Sequence, residues 1–183
     1  LDRGAPDCLI FDGFNPLVCG DTNAGIGLDV AGGTGIMGRR GDGMNIILAI
    51  DPGAHSGVAV LEGGKVVRAY AAFRPEHVRV PSPFRLVIEI PQYYPRMQVR
   101  PQSLIVLALN AGGWIALNSD AEEVLKPHPR EWKGQVKKTV TLYRVGQALT
   151  AGEKEAINWN SVKTDDNIVD AIGLGLHRIG RYR

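Results

Sequence analysis

From residue 46 onward the chain alternates between short apolar runs and clusters of turn-forming residues, and that rhythm predicts most of its elements. Ile46-Ile47-Leu48-Ala49-Ile50 is continuously apolar, ends in Asp51 and meets Pro52-Gly53, and a second run, Val58-Ala59-Val60-Leu61, returns before Gly63-Gly64. Runs of this length, bounded by turn residues, read as strands of a buried sheet. The tight Gly63-Gly64 turn leads into a third strand over 65–73, so the first three strands form an antiparallel meander. Pro75, Pro81 and Pro83 then interrupt every pattern over 74–85, which reads as a loop. Leu86-Val87-Ile88-Glu89-Ile90 is a short fourth strand with one charge inside it.

The second half turns helical. Residues 102–117, after Pro101, are apolar on nearly every side of a helix that is too short to span a bilayer comfortably. A buried central helix, or one shared with a second subunit, is the reading that follows. Residues 122–127 form a weaker fifth strand, 127–134 a rigid basic loop, 139–149 a helix of mixed character, and 152–156 a short helical turn or loop without an evident chemical role. The last helix is the best marked. Thr164 or Asp165 can cap it, and Ile168, Ala171, Ile172, Gly175, Leu176 and Ile179 recur at helical spacing as a core-facing stripe. Asp166, Asp170, Gly173 and His177 form an adjoining stripe.

Residues 1–43 show no such period. Eleven of them are glycine, and the segment is expected to be a disordered or non-native extension, with the folded domain over 44–183. It lacks a basic region followed by an apolar one, so it does not read as a signal peptide. Both cysteines, Cys8 and Cys19, lie within it, and their pairing in a small appended lobe stays open. The later chain has neither disulfide nor thiolate ligand, which fits a reducing cytoplasm. The formal charge of the whole is +2, yet residues 1–43 carry six acids against three arginines, leaving eighteen basic and thirteen acidic side chains beyond them. That is a modest lean toward a polyanionic partner.

The acids give the pattern its chemistry. Asp51 stands where a strand leaves the core, with Gly53 and Gly57 allowing backbone or a phosphate to approach; the plainer reading is an Asp that opens a Pro-Gly turn. Glu89 in an apolar run is costly to bury unless it is paired or binds a metal. Asp166 and Asp170 lie one turn apart on the last helix; Asp165 favours the helix dipole, and Asp170 has no evident basic partner. Four carboxylates make a hard oxygen set suited to Mg²⁺ or Mn²⁺, and two such ions can drive phosphodiester hydrolysis. Residues 91–100 mix Tyr93 and Tyr94 with Arg96 and Arg100, as suits base stacking and phosphate contact, or the packing of two tyrosines on the domain's edge.

Four stretches together are more specific than any one of them. Ala49-Ile50-Asp51-Pro52-Gly53-Ala54-His55-Ser56-Gly57, Val87-Ile88-Glu89-Ile90-Pro91-Gln92-Tyr93, Pro129-Arg130-Glu131-Trp132-Lys133-Gly134-Gln135-Val136-Lys137-Lys138 and Asp166-Asn167-Ile168-Val169-Asp170-Ala171-Ile172-Gly173 follow one another in an order that resembles RuvC-type Holliday junction resolvases, bacteriophage-like members especially. The resemblance covers nearly all of 44–183 and none of 1–43. It implies an RNase H-like α/β fold: a five-stranded mixed sheet, three antiparallel strands then two parallel, flanked by helices. It further implies a homodimeric crossover junction endodeoxyribonuclease that cuts four-way or other branched DNA, with no membrane and no small-molecule cofactor. Carried across, the ligands of two Mg²⁺ or Mn²⁺ ions are Asp51, Glu89, Asp166 and Asp170. The family's lysines correspond to Lys133 and Lys138, which with Lys137, Tyr93, Tyr94 and Arg96 make the expected DNA-binding set. The resemblance also implies a cytoplasmic enzyme, bacterial or phage-encoded in its host.

The family's third ligand precedes the final Asp by three or four residues, which here selects Asn167 or Asp166. Asp166 is preferred because it ionises, and Asn167 stays open as a carbonyl ligand. The rival readings are a YqgF-like nuclease of structured RNA or DNA, an ATP-binding domain of the actin and sugar-kinase type, and a non-catalytic nucleic-acid-binding module of the same fold. The second needs two such domains, and intact acids at all four positions count against the third.

Overall fold

β1 (Ile46–Asp51), β2 (Ser56–Glu62) and β3 (Lys65–Ala72) form the expected meander in a computed structural model that describes residues 45–93 and 100–182. The extension over 1–43, Tyr94 and Arg96 lie outside the described residues. β4 (Phe84–Ile88) and β5 (Glu123–Leu125) complete a five-stranded sheet in the order β3-β2-β1-β4-β5. β2 runs antiparallel to both β1 and β3, while β4 runs parallel to both β1 and β5. This is the mixed sheet of an RNase H-like α/β fold, as the sequence led one to expect.

Apart from Arg85 and the terminal Asp51, β1 and β4 are apolar because both faces of the central strands are covered. On one face Ile47, Ala49, Leu61 and Val87 meet Ile168, Ile172 and Leu176 of α6 (Asp166–Arg178), with Val145 of α3 (Lys138–Ala148) beside them. On the other, Leu48, Ile50, Val58 and Ile88 meet Ala111 and Trp114 of α1 (Pro101–Leu117). The remaining helices are short: α2 (Pro129–Trp132), α4 (Ala151–Ala156) and α5 (Trp159–Val162). Among the described residues no helix is long and apolar enough to cross a membrane.

Strand direction decides where chemistry can gather. β1 and β4 run parallel and end at the same edge of the sheet, where β2 begins and β3 stops. Asp51 and Glu89 therefore emerge side by side, and the Glu89 N–H donates to the Ile50 carbonyl at 3.0 Å.

Several expectations change in detail. β4 spans Phe84–Ile88, so Glu89 stands one residue beyond the strand rather than within it. The stretch expected as a loop over 127–134 contains α2, whose Glu131 carboxylate accepts the His128 N–H at 3.0 Å. Helix α1 is not a buried central helix. Of its residues only Ala111 and Trp114 are buried, and Ile105, Val106, Leu109 and Leu117 are exposed. Because the helix is apolar on so many sides, its period could not tell the core-facing row from the outer one. Its inner side is tied down by polar bonds: Trp114 Nε1 donates to Ser56 Oγ at 3.0 Å, and Asn110 donates to the Gly53 carbonyl.

Glu153, in the stretch without an evident chemical role, is buried and has a structural one, joining β3 to the end of the chain. Its carboxylate accepts from the Val66 N–H at 2.9 Å and from Arg181 at 2.7 and 2.8 Å, and it also receives the Thr150 N–H and hydroxyl.

Candidate functional site

Three elements deliver three carboxylates to the shared edge. Asp51 ends β1 and is buried, Glu89 follows β4, and Asp170 is carried by the first turns of α6. The helix is brought there by its own start. The Asp165 carboxylate caps it, accepting the N–H groups of Asn167 at 2.9 Å and Ile168 at 3.3 Å. Gly57 lets it approach: a Cβ there would collide with the Asn167 backbone carbonyl. The close approach that Gly57 permits is thus made by helix backbone. Asn167 completes the seam by donating its amide to the His55 carbonyl in the turn after β1.

Lys133 stands among these acids. Its Nζ lies 2.6 Å from Asp170 Oδ2 and 3.3 Å from Glu89 Oε2, and its side chain is only 20% exposed. Trp132 fixes the group from below. Its Nε1 donates to Glu89 Oε2 at 2.7 Å, and its indole lies 4.8 Å beneath the Lys133 ammonium. The basic partner that Asp170 lacked in sequence is therefore Lys133, whose ammonium faces carboxylates in this structure.

The electrostatics follow from burial. Desolvation, joined by the nearby charges of Glu89 and Asp170, raises the Asp51 carboxyl well above its ordinary range. Burial also raises Glu89, with Lys133 and the Trp132 N–H pulling the other way. Burial works against the Lys133 charge, but Glu89 and Asp170 outweigh it and hold the ammonium above its usual value.

The fourth acid is elsewhere in character. Asp166 is exposed and pairs with Lys138 at 2.7 Å, a surface contact of the kind worth about 0–1 kcal/mol. Lys137 is exposed at the start of α3, and Tyr93 is exposed beyond β4. Trp132 was missed as a site residue; its place in the Glu-Trp-Lys-Gly run, directly before a lysine, was the available signal.

Among the described residues no three His, Cys, Asp or Glu side chains stand ready to hold a metal ion. The chemistry of the donors nevertheless suits one. Asp51, Glu89 and Asp170 offer hard oxygens whose burial and mutual repulsion call for positive charge, and Lys133 now provides it. A divalent cation would bring more.

No protein-family model matches this chain, and no curated protein matches it either. Among solved structures the chain is similar to T. thermophilus RuvC in complex with a Holliday junction substrate, at 15% identity and a TM-score of 0.44, over 76% of this chain and 98% of that one. It is also similar to a Thermus thermophilus RuvC structure at 15% identity and a TM-score of 0.45, over 75% of this chain and 98% of the other.

Proposed function

We propose that this chain is a divalent-metal-dependent endonuclease that hydrolyses phosphodiester bonds in four-way or other branched DNA. The observation that carries the reading is the convergence of Asp51, Glu89 and Asp170, from two strand ends and a helix, on one cation-demanding spot. Asp51, Glu89 and Asp170 would hold Mg²⁺ or Mn²⁺, with Asp166 reaching in from one turn earlier if it leaves Lys138. When bound, such ions supply water activation and stabilise the leaving oxygen. The protein's own part is positioning. The end of β1 fixes Asp51, the Trp132 N–H orients Glu89, and the Asp165 cap with the Gly57 seam sets the depth of α6 and thus of Asp170. Lys137 and Lys138 supply exposed positive charge for phosphates, and Tyr93 an exposed ring for a base. Branched DNA, rather than any duplex, is chosen on the four sequence motifs.

The same reading makes the enzyme a cytoplasmic homodimer. A four-way junction presents two equivalent strands, and one chain supplies one acidic cluster. The exposed row Ile105, Val106 and Leu109 of α1 is the contact we assign to the second copy.

One observation favours a second reading. Lys133 already neutralises part of the acid cluster, as it could in a non-catalytic nucleic-acid-binding module. Incubating the protein with four-way, Y-shaped and linear duplex DNA, in Mg²⁺ and in chelator, separates the two. Cleavage confined to branched substrates and to Mg²⁺ is the expected result. Junction binding without cleavage in Mg²⁺ or Mn²⁺ would identify the module.

A further inference from the structure

The place of Lys133 has a consequence for how this site takes up its ion. Its ammonium contacts Asp170 Oδ2 and Glu89 Oε2 together, and those are two of the oxygens a divalent cation would need. The arrangement is built rather than incidental. Trp132 supports the ammonium with its ring and holds Glu89 with its N–H, so one side chain positions both partners of the pair. Trp132 is in turn buried against Gly173 of α6, where a side chain would meet the indole.

We propose that Lys133 is a displaceable counter-ion: it occupies the carboxylates of the cation-free protein, and a divalent cation binds only by driving its ammonium out. This inference rests on the metal-dependent reading above. Competition of this kind follows from charge, since an ammonium held against Glu89 Oε2 and Asp170 Oδ2 repels a second cation brought to the same two carboxylates. The way out is short. Lys133 caps α2, its N–H bonded to the Pro129 carbonyl at 3.0 Å, and the flexible four-carbon stem can turn its partly exposed head to solvent without moving the backbone. Displaced, the ammonium stands at the mouth of the acid cluster, where a phosphate would lie. Lys133 thereby changes partner from carboxylate to DNA when the ion enters, and the site keeps its acids neutralised in both states.

The test is Mn²⁺ binding by isothermal titration calorimetry, without DNA, on the full chain and its variants. Lys133→Met keeps the stem and removes the charge, and it should bind Mn²⁺ at least tenfold more tightly than the unaltered protein. Lys133→Arg, whose planar fork grips carboxylates at least as well, should show no gain. The gain of Lys133→Met should vanish when Asp51→Asn is added. Should Lys133→Met fail to melt cooperatively, Lys133→Gln serves in its place. Equal or weaker Mn²⁺ affinity in the neutral variant overturns the displacement and leaves the metal-dependent reading standing. Absence of Mn²⁺ binding at millimolar concentration in both chains overturns the two together.

Discussion

Asp51 carries the heaviest electrostatic burden of the three gathered acids, being buried and facing two other carboxylates. Asp51→Asn should abolish Mg²⁺-dependent cleavage and yet raise the unfolding midpoint of the cation-free protein. Relief of a poorly compensated buried charge is worth roughly 1 kcal/mol or more, and thermal unfolding in chelator checks it. Glu153 behaves in the opposite way. Burial alone would raise its carboxyl, but bonds from Arg181, Thr150 and Val66 outweigh this and lower it from 4.5 to about 2. An acid lowered on folding contributes stability that is fully present above its unfolded value and fades as pH falls through the folded one. Glu153→Gln should therefore be less stable than the parent at pH 7, by roughly 3 kcal/mol as for a broken buried pair. The gap should narrow between pH 4.5 and 2 in parallel acid-unfolding curves. Asp51 and Glu89 were legible in the sequence because a carboxylate at the end of an apolar run, or inside one, is conspicuous. The roles of Lys133 and Glu153 were not, since their partners Asp170 and Arg181 lie 37 and 28 residues away along the chain and meet them only through the fold.

At the scale of the element, α6 shows how local signals become geometry. Its cap and its apolar stripe were both readable, and Asp165 does cap it. Its depth against the sheet was not, because that is set by the absence of a side chain on a different element. Gly57→Ala would force a methyl group into the Asn167 backbone, which no rotamer change relieves. We expect a loss of about 1–3 kcal/mol or more, the usual result of overpacking, together with weakened cleavage as Asp170 is pushed from Asp51 and Glu89. Gly112→Ala is the contrasting case. It lies inside α1 with no atom near the space its methyl would fill, so it should stabilise by about 0.8–1 kcal/mol. Denaturant unfolding of the two variants side by side measures both effects.

For the whole molecule, α1 faces two ways. Leu109 is 71% exposed while Trp114, five residues on, is fully buried with its N–H bonded to Ser56. The apolar pattern left open whether this helix is buried or shared with a second subunit, and the structure separates Leu109, which faces out, from Trp114, which belongs to the core. Leu109→Asp should give a folded monomer by light scattering with an unfolding midpoint near that of a dissociated parent, whereas a charge at Trp114 should prevent folding. If Leu109→Asp remained dimeric, the contact would lie on another face.

If a second copy covers the outer row as proposed, that two-sided helix also ties the site to dilution. Asn110 bonds to the Gly53 carbonyl in the turn that follows Asp51, and Trp114 bonds to Ser56 at the start of β2, while Ile105 and Leu109 of the same helix face outward. Whatever steadies the outer row steadies the turn beside the acids. Under the proposed function, and with only the paired form competent to cut, a cell holding few copies would hold mostly single chains, and the cutting rate would climb with the square of copy number until pairing saturates. The abundance of the protein would then act as its own threshold, keeping stray copies from nicking DNA.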